Sequence, residues 1–398
     1  MKKFDLKRLA AIIYALAITA MAFLFFTNDF GLVDIRKTAV IIGAGIDLTE
    51  GGVSVTAQVA VPQPSENGEN TVYIEVEGEG ATVADALNVI NKKTGFFPKL
   101  VFCKLLILGE SCRNADIFEV LDYFYRDDYT QLTPVIAMCS GSAGELLASK
   151  MRFGNTATVS IERLLSDEAK KSANVSTVNL KMIGIDNFSQ SAACYMPYIR
   201  ARAQSAATSA AQSTGGSGQS GGQSGGEEGG DMQEFLCDRT AIFRGGRFAG
   251  ILDEEQTFAL NLLKNSVRHV FVPCTYEGTV YTLGLRNCRG GAGVRSSGGR
   301  AVARLAFSAV VQVSDVGRAE DPRSVSEGVV PEGVLRAGEA RLRGLFFSLF
   351  SALREADCDA LELGTKLFRY DRALYEELEG RVLSSAQLAF EVSLRSAG

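Results

Sequence analysis

The sequence predicts an α+β fold: a mixed α/β, multi-domain, extracytoplasmic protein with an N-terminal transmembrane helix. Three observations predict it. Runs of period-2 apolar alternation are interleaved with runs of helical spacing, as in mixed layers of strands and helices. An uncharged apolar run at 9–27 follows a cationic tip. A Gly/Ser-rich tract at 201–231 separates two regions that each hold enough apolar residues for a core.

At 398 residues the chain has room for two or three domains. An apolar content of 46% and a mean hydropathy of +0.08 fit a globular protein with one membrane segment, not a polytopic one. A net charge of −5, with no Lys/Arg-rich run beyond the N-terminus, gives no reason to expect nucleic acid. The single histidine, His269, excludes a multi-His zinc site and a His triad, and reads as a surface or edge-strand residue. None of the eight cysteines are spaced CxxC. Cys103, Cys139 and Cys274 sit in apolar runs and read as buried thiols, with one or two disulfides still open outside the membrane.

Residues 1–30 are assigned as a cytoplasmic tip and membrane anchor. Lys2, Lys3, Lys7 and Arg8 precede LAAIIYALAITAMAFLFFT at 9–27, which as a helix spans roughly 28 Å, about one hydrocarbon core. The cations stay cytoplasmic and leave residues 28–398 on the outer side. Ala20-Met21-Ala22 mimics a signal-peptidase site, but Phe23-Leu24-Phe25-Phe26 follows at once, which favours an uncleaved anchor in contact with lipid. With no cysteine near the end of the segment, lipoprotein processing is not expected.

The first globular region is placed at 31–200. Ala39 to Ile42 reads as a strand, Gly43 to Gly45 as a hinge, and Val53, Val55, Ala57, Val59 and Val61 as a second strand with one buried face. Glu50-Gly51-Gly52 supplies the hairpin turn and Asp47 braces the glycine turn through its side chain. A dinucleotide-binding GxGxxG would need glycine at 48, where the chain has Leu48, and a helix where it has a strand. A third strand follows through Val72, Ile74 and Val76, then a helix opened by Thr82 and Asp85. A strand is expected over 100–108, a helix over 116–126, a strand over 134–138, a helix from Ser142, and two amphipathic helices over 155–197.

These residues resemble the Ger(x)C family, the C subunits of spore nutrient germinant receptors. The resemblance is carried by Gly43-Ala44-Gly45-Ile46-Asp47, Phe96-Phe97, Gly109-Glu110, Arg126-Asp127 and Met196-Pro197-Tyr198-Ile199. The tract at 201–231 then reads as a flexible linker. A C-terminal α+β domain is assigned to 232–398. Its strand Thr240-Ala241-Ile242-Phe243, turn Gly245-Gly246 and helix start Gly250-Ile251-Leu252-Asp253-Glu254-Glu255 resemble a family element. Ala303, Leu305, Phe307, Ala309, Val311 and Val313 alternate along one strand. Leu342, Leu345, Phe346, Leu349, Phe350 and Leu353 form a helical stripe. The end of the chain, Asp359 to Gly364, a helix at 372–379 and a strand at 386–394, is again similar to the family.

The chain departs from the family in lacking the lipobox cysteine, a histidine near Phe102 and any tryptophan. Gly43, Gly45, Asp47, Arg126, Asp127, Pro197, Gly250, Asp359 and Gly364 are therefore singled out as structural signature positions, with no catalytic, cofactor-binding or metal-ligating residue among them. The resemblance implies a non-enzymatic, membrane-anchored subunit of a germinant receptor in the inner spore membrane. Its partners are the A-type and B-type membrane subunits, no cofactor is needed, and its role is assembly or signalling. The alternative is a generic extracytoplasmic binding or envelope-assembly module. An enzyme would require a deep pocket of clustered carboxylates with perturbed pKa values.

Overall fold

The parallel strands at the centre of the larger sheet carry side chains buried on both faces. In the computed structural model, residues 6–27, 38–65, 68–95, 97–149, 156–203, 233–264, 267–317 and 329–397 are described. They fall into two units, Met1–Thr38 and Ala39–Gly398.

In the first unit, α1 (Leu6–Thr27) is one continuous helix. Ile12, Ile13, Tyr14, Leu16, Ile18, Met21 and Phe23 are all exposed. Among the described residues, no helix is long and apolar enough to cross a membrane. Side chains of α1 are described over 12–23 alone, roughly 18 Å of helix, so the span expected at 9–27 lies partly outside them.

The second unit opens with β1 (Thr38–Thr49), β2 (Gly52–Ser65) and β3 (Gly68–Gly80). After α2 (Val83–Thr94) come β4 (Phe97–Lys99) and β5 (Leu105–Leu108). A 3-10 turn at Glu110–Asn114, α3 (Ile117–Arg126), β6 (Val135–Cys139) and α4 (Ala143–Ala148) follow. Then come α5 (Ala157–Leu164), α6 (Asp167–Lys170), α7 (Leu180–Asn187) and β7 (Ala193–Ala203). β8 (Gln233–Arg244) and β9 (Arg247–Leu252) close a nine-stranded sheet of order β3-β2-β1-β5-β6-β7-β8-β9, with β4 on β1. The pairs β1–β5, β5–β6 and β6–β7 are parallel, and antiparallel strands flank them.

Leu105 and Ile107 face α4 and α5, while Leu106 and Leu108 join the larger core on the other face. That is the two-sided burial expected of parallel strands.

The rest of the chain is α8 (Glu254–Lys264), β10 (His269–Tyr276), β11 (Thr279–Ser297), β12 (Arg300–Gly317), α9 (Glu332–Glu355), α10 (Leu363–Tyr370), α11 (Arg372–Glu377), α12 (Val382–Ser385) and β13 (Gln387–Ser396). Four strands form a second sheet, β10-β11-β12-β13, on which the Leu/Phe stripe of α9 packs, with Phe346 against Phe307.

Several expectations need correction. The run 100–108 is not one strand: the chain turns after Leu100, with Cys103 N–H donating to Leu100 O, and Phe102 is exposed. The stretch 155–197 holds three helices, not two, and Met196-Pro197 lies inside β7. β2 is buried on both faces, because α4 and α5 cover its polar side. Gln58 there accepts from Thr158 N–H (3.3 Å) and donates to Glu75 (2.7 Å). Gly43 and Gly45 do not hinge between strands; both lie inside β1, and the register slips once, between Ile41 and Gly43.

The tract at 201–231 begins as the last residues of β7, and residues 204–232 lie outside the described ones. Ala203 is opposite Gln233, so the tract joins two neighbouring strands of one sheet. One core runs from Ile41 through Phe346 to Leu394.

Candidate functional site

Two places concentrate the signature residues, and in both a carboxylate is spent on the backbone of a helix start. At the first, the C-terminal ends of β1, β5 and β6 converge. Asp47 accepts from Ser142 Oγ (2.8 Å), Ala143 N–H (3.0 Å) and Gly144 N–H (3.0 Å), capping α4. In open α/β sheets this edge, with a helix N-terminus above it, is where anionic ligands settle. Here the chain's own carboxylate fills the seat. Asp47 thus braces a helix about a hundred residues away, rather than its own turn.

The glycines around it make room. A Cβ on Gly109 would lie 1.7 Å from Asp47 Oδ1, one on Gly45 3.0 Å from Ala143, and one on Gly43 2.2 Å from Thr158 Oγ1. Beside them Arg113 donates to Tyr198 Oη (2.6 Å) and pairs with Glu110 (2.7 Å).

At the second place Asp359, buried, caps α10 by accepting from Leu363 N–H (3.0 Å), Gly364 N–H (2.7 Å) and Ser191 Oγ (2.7 Å). Thr365 and Ser191 exchange further bonds, which tie α10 to the start of β7. Burial raises the Asp359 pKa above the ordinary carboxylate range, against the pull of these donors.

Next to it Lys264 donates to Glu362 (2.7 Å) and to Ala360 O (3.0 Å) and lies over the Tyr195 ring. Burial works against the Lys264 charge, but Tyr195, Glu362 and Asp186 outweigh it and raise its pKa. Glu362 is lowered: burial opposes its charge, and Lys264 overrides burial. Asp186 is pushed up to about 6 by burial and by Glu362, with Lys264 opposing. Lys366 is lowered by burial, and its ammonium donates to Ala292 O and Leu361 O. This is a linked set of ion pairs and caps between α7, α8 and α10, each charge facing a partner of opposite sign or a carbonyl.

The remaining signature residues stand apart from both places. Arg126 is exposed and paired with Asp122 (2.7 Å). Asp127 ends α3 and accepts from Thr130 Oγ1 (2.7 Å). Pro197 faces Thr240 across β7–β8, and Gly250 faces Ile242 across β8–β9. His269 is exposed on the edge strand β10. All eight cysteines are free; Cys103 is buried and its thiol is pushed up to about 12 by that burial, as for a packed hydrophobe. Among the described residues no group of His, Cys, Asp and Glu could hold a metal ion.

The structure is similar to the crystal structure of the GerBC protein, with a TM-score of 0.52 and 13% identity, over 92% of this chain and 100% of that one. Residues 32–201 match the family model of the spore germination protein N-terminal domain. Residues 32–201 therefore resemble a spore germination protein N-terminal domain. No curated protein matches the chain in sequence. The mixed α+β architecture of this chain is shared with GerBC at the level of the fold. Ser191, Thr365 and Lys264 were not singled out in the sequence, because a lone Ser, Thr or Lys carries no spacing signal until the fold assembles its partners.

Proposed function

We propose that this chain is a non-enzymatic, membrane-anchored subunit of a spore germinant receptor, needed for assembly or signalling in nutrient-triggered germination. The observation that carries the reading is the match of residues 32–201 to a spore germination protein domain. The fold shared with GerBC supports it. Its partners on this reading are the A-type and B-type membrane subunits. Residues 9–27 hold it in the inner spore membrane with the bulk of the chain extracytoplasmic, and the exposed apolar side chains of α1 support such an anchor.

The non-enzymatic reading is supported by how the carboxylates at the two signature places are used. Asp47 and Asp359 are occupied as helix caps and Glu362 as an ion-pair partner, so none of these three is free to act on a substrate. The test is recovery of the epitope-tagged chain from spore membranes together with two polytopic receptor subunits, and loss of nutrient-triggered germination when its gene is deleted. Normal germination in the deletion strain, or recovery of the chain alone, overturns the reading.

A further inference from the structure

The β11–β12 hairpin has a charge pattern unlike the rest of this acidic chain. Between Gly278 and Ser314 it carries Arg286, Arg289, Arg295, Arg300 and Arg304 and no Asp or Glu. Register places Arg289 opposite Ser308 and Gly291 opposite Ala306, while Ser308 faces Ser393 and Val310 faces Arg395 on β13. The outward face of β11, β12 and β13 is thus a floor of Gly, Ala, Ser and Val positions flanked by arginines. Two clefts open there, of about 570 Å³ and about 600 Å³, and they share Arg289, Ser308 and Ser393.

Glu391 is the one acid on these walls, and it is paired with Arg304. Arg343 reaches round from α9, held by Glu339 (3.2 Å). Among the described residues, the side chains of Arg289 and Arg395 have no ion-pair or hydrogen-bond partner.

The geometry points to a docking groove for an extended acidic segment of a partner protein, its carboxylates paired with Arg289 and Arg395. Guanidinium groups match carboxylates in shape and charge. A floor of small residues and valine, without aromatic or long aliphatic side chains, lets a partner backbone lie close. Strand addition at β13 is blocked, because side chains of α9 already seal that edge. Glu339 accepts Leu394 N–H (3.0 Å), Arg343 donates to Val392 O (3.5 Å) and Arg354 donates to Ala386 O (2.7 Å).

The face is poorly suited to the other polyanions. No large apolar side chain between Arg286 and Ser308 is exposed for insertion into lipid, and Phe307 is buried beneath the sheet and cannot stack on a base. The inference does not depend on the germination reading.

The test is fluorescence anisotropy of the full chain in detergent with a labelled twelve-residue peptide of alternating Glu and Ser, and with its Gln counterpart. The Glu peptide binds and the Gln peptide does not. The Arg289→Gln/Arg395→Gln double variant loses at least tenfold in affinity and each single variant about threefold. An Arg126→Gln/Arg372→Gln control, on exposed helix positions elsewhere, stays within twofold. Urea midpoints establish that each variant is folded; the single variants decide the matter if the double does not fold. Four outcomes overturn the proposal: no binding by the parent chain, equal affinity in parent and single variants, equal loss in the control, or binding to phosphatidylglycerol vesicles in place of the peptide.

Discussion

Replacing Gly43 by alanine sets a methyl group against Thr158, and the outcome is calculable from local geometry. The added carbon would lie 2.2 Å from Thr158 Oγ1 and 3.0 Å from its Cγ2, while Thr158 is wholly buried and its hydroxyl has no hydrogen-bond partner. Gly43 is not in the left-handed region, so alanine brings no backbone strain and restricts the unfolded chain, a gain of about 0.4–1 kcal/mol. Overpacking costs about 1–3 kcal/mol. The net expectation for Gly43→Ala is destabilisation by about 1.5 kcal/mol.

Thr158→Ala gives up a buried methyl, about 1 kcal/mol, and removes an unsatisfied hydroxyl of similar cost, so alone it is near neutral. In the double variant the clash is gone, and the pair shows a favourable coupling of about 1–2 kcal/mol. Thr158→Val keeps the steric bulk while removing the hydroxyl, so it stabilises the parent and does not rescue Gly43→Ala. Urea unfolding followed by circular dichroism reads this out. With a slope of about 3 kcal/mol/M, 1.5 kcal/mol moves the midpoint by about 0.5 M. An unchanged midpoint for Gly43→Ala, or strict additivity in the double variant, refutes the packing argument.

Three further outcomes follow from the caps and ion pairs. Asp47→Ala strands three donors at the start of α4 and lowers stability by about 2 kcal/mol, against less than 1 for Asp127→Ala at the exposed end of α3, both measured as urea midpoints. Asp186 binds its proton more tightly folded (about 6) than at its ordinary value of 3.8. Its burden is therefore absent below about pH 4 and complete above about pH 6, and stability falls as pH rises through that window. The shift corresponds to about 3 kcal/mol, reduced to about 1–2 by partial solvent screening, so Asp186→Asn raises Tm at pH 7.5 and leaves it unchanged at pH 4. Lys264→Met leaves Glu362 and Asp186 without their cation and costs about 3 kcal/mol, whereas adding Glu362→Gln recovers most of it; thermal unfolding at pH 7.5 distinguishes the two.

Features fixed by neighbours in the chain were legible in the sequence. Thr82, Asp116, Ser142 and Asp253 each cap the helix expected after them, with Asp253 and Gln256 bonding reciprocally. The Gly245-Gly246 turn has both residues at positive φ, the stripe of α9 is buried as spaced, and the alternation along β12 is buried from Ala303 to Val311 with Val313 half-buried. Features fixed by distant partners were not legible. A glycine inside a strand and a glycine in a turn look alike until Thr158 and Ala143 are packed over Gly43 and Gly45. The buried polar face of β2 read as solvent-facing because α4 and α5, which cover it, lie far along the chain. The arginines of β11 and β12 are too widely spaced to read as a run, and only the hairpin gathers them on one face.

The pairing of Ala203 with Gln233 has a practical consequence. Whatever lies at 204–232 starts and finishes at adjacent points of one sheet, so its contour length is uncoupled from the spacing between any two parts of the molecule. Doubling such a loop costs only about 0.6 kcal/mol in closure entropy. The position is therefore a natural port at which a fluorescent reporter or a protease site can be spliced in, leaving the strands on either side in register.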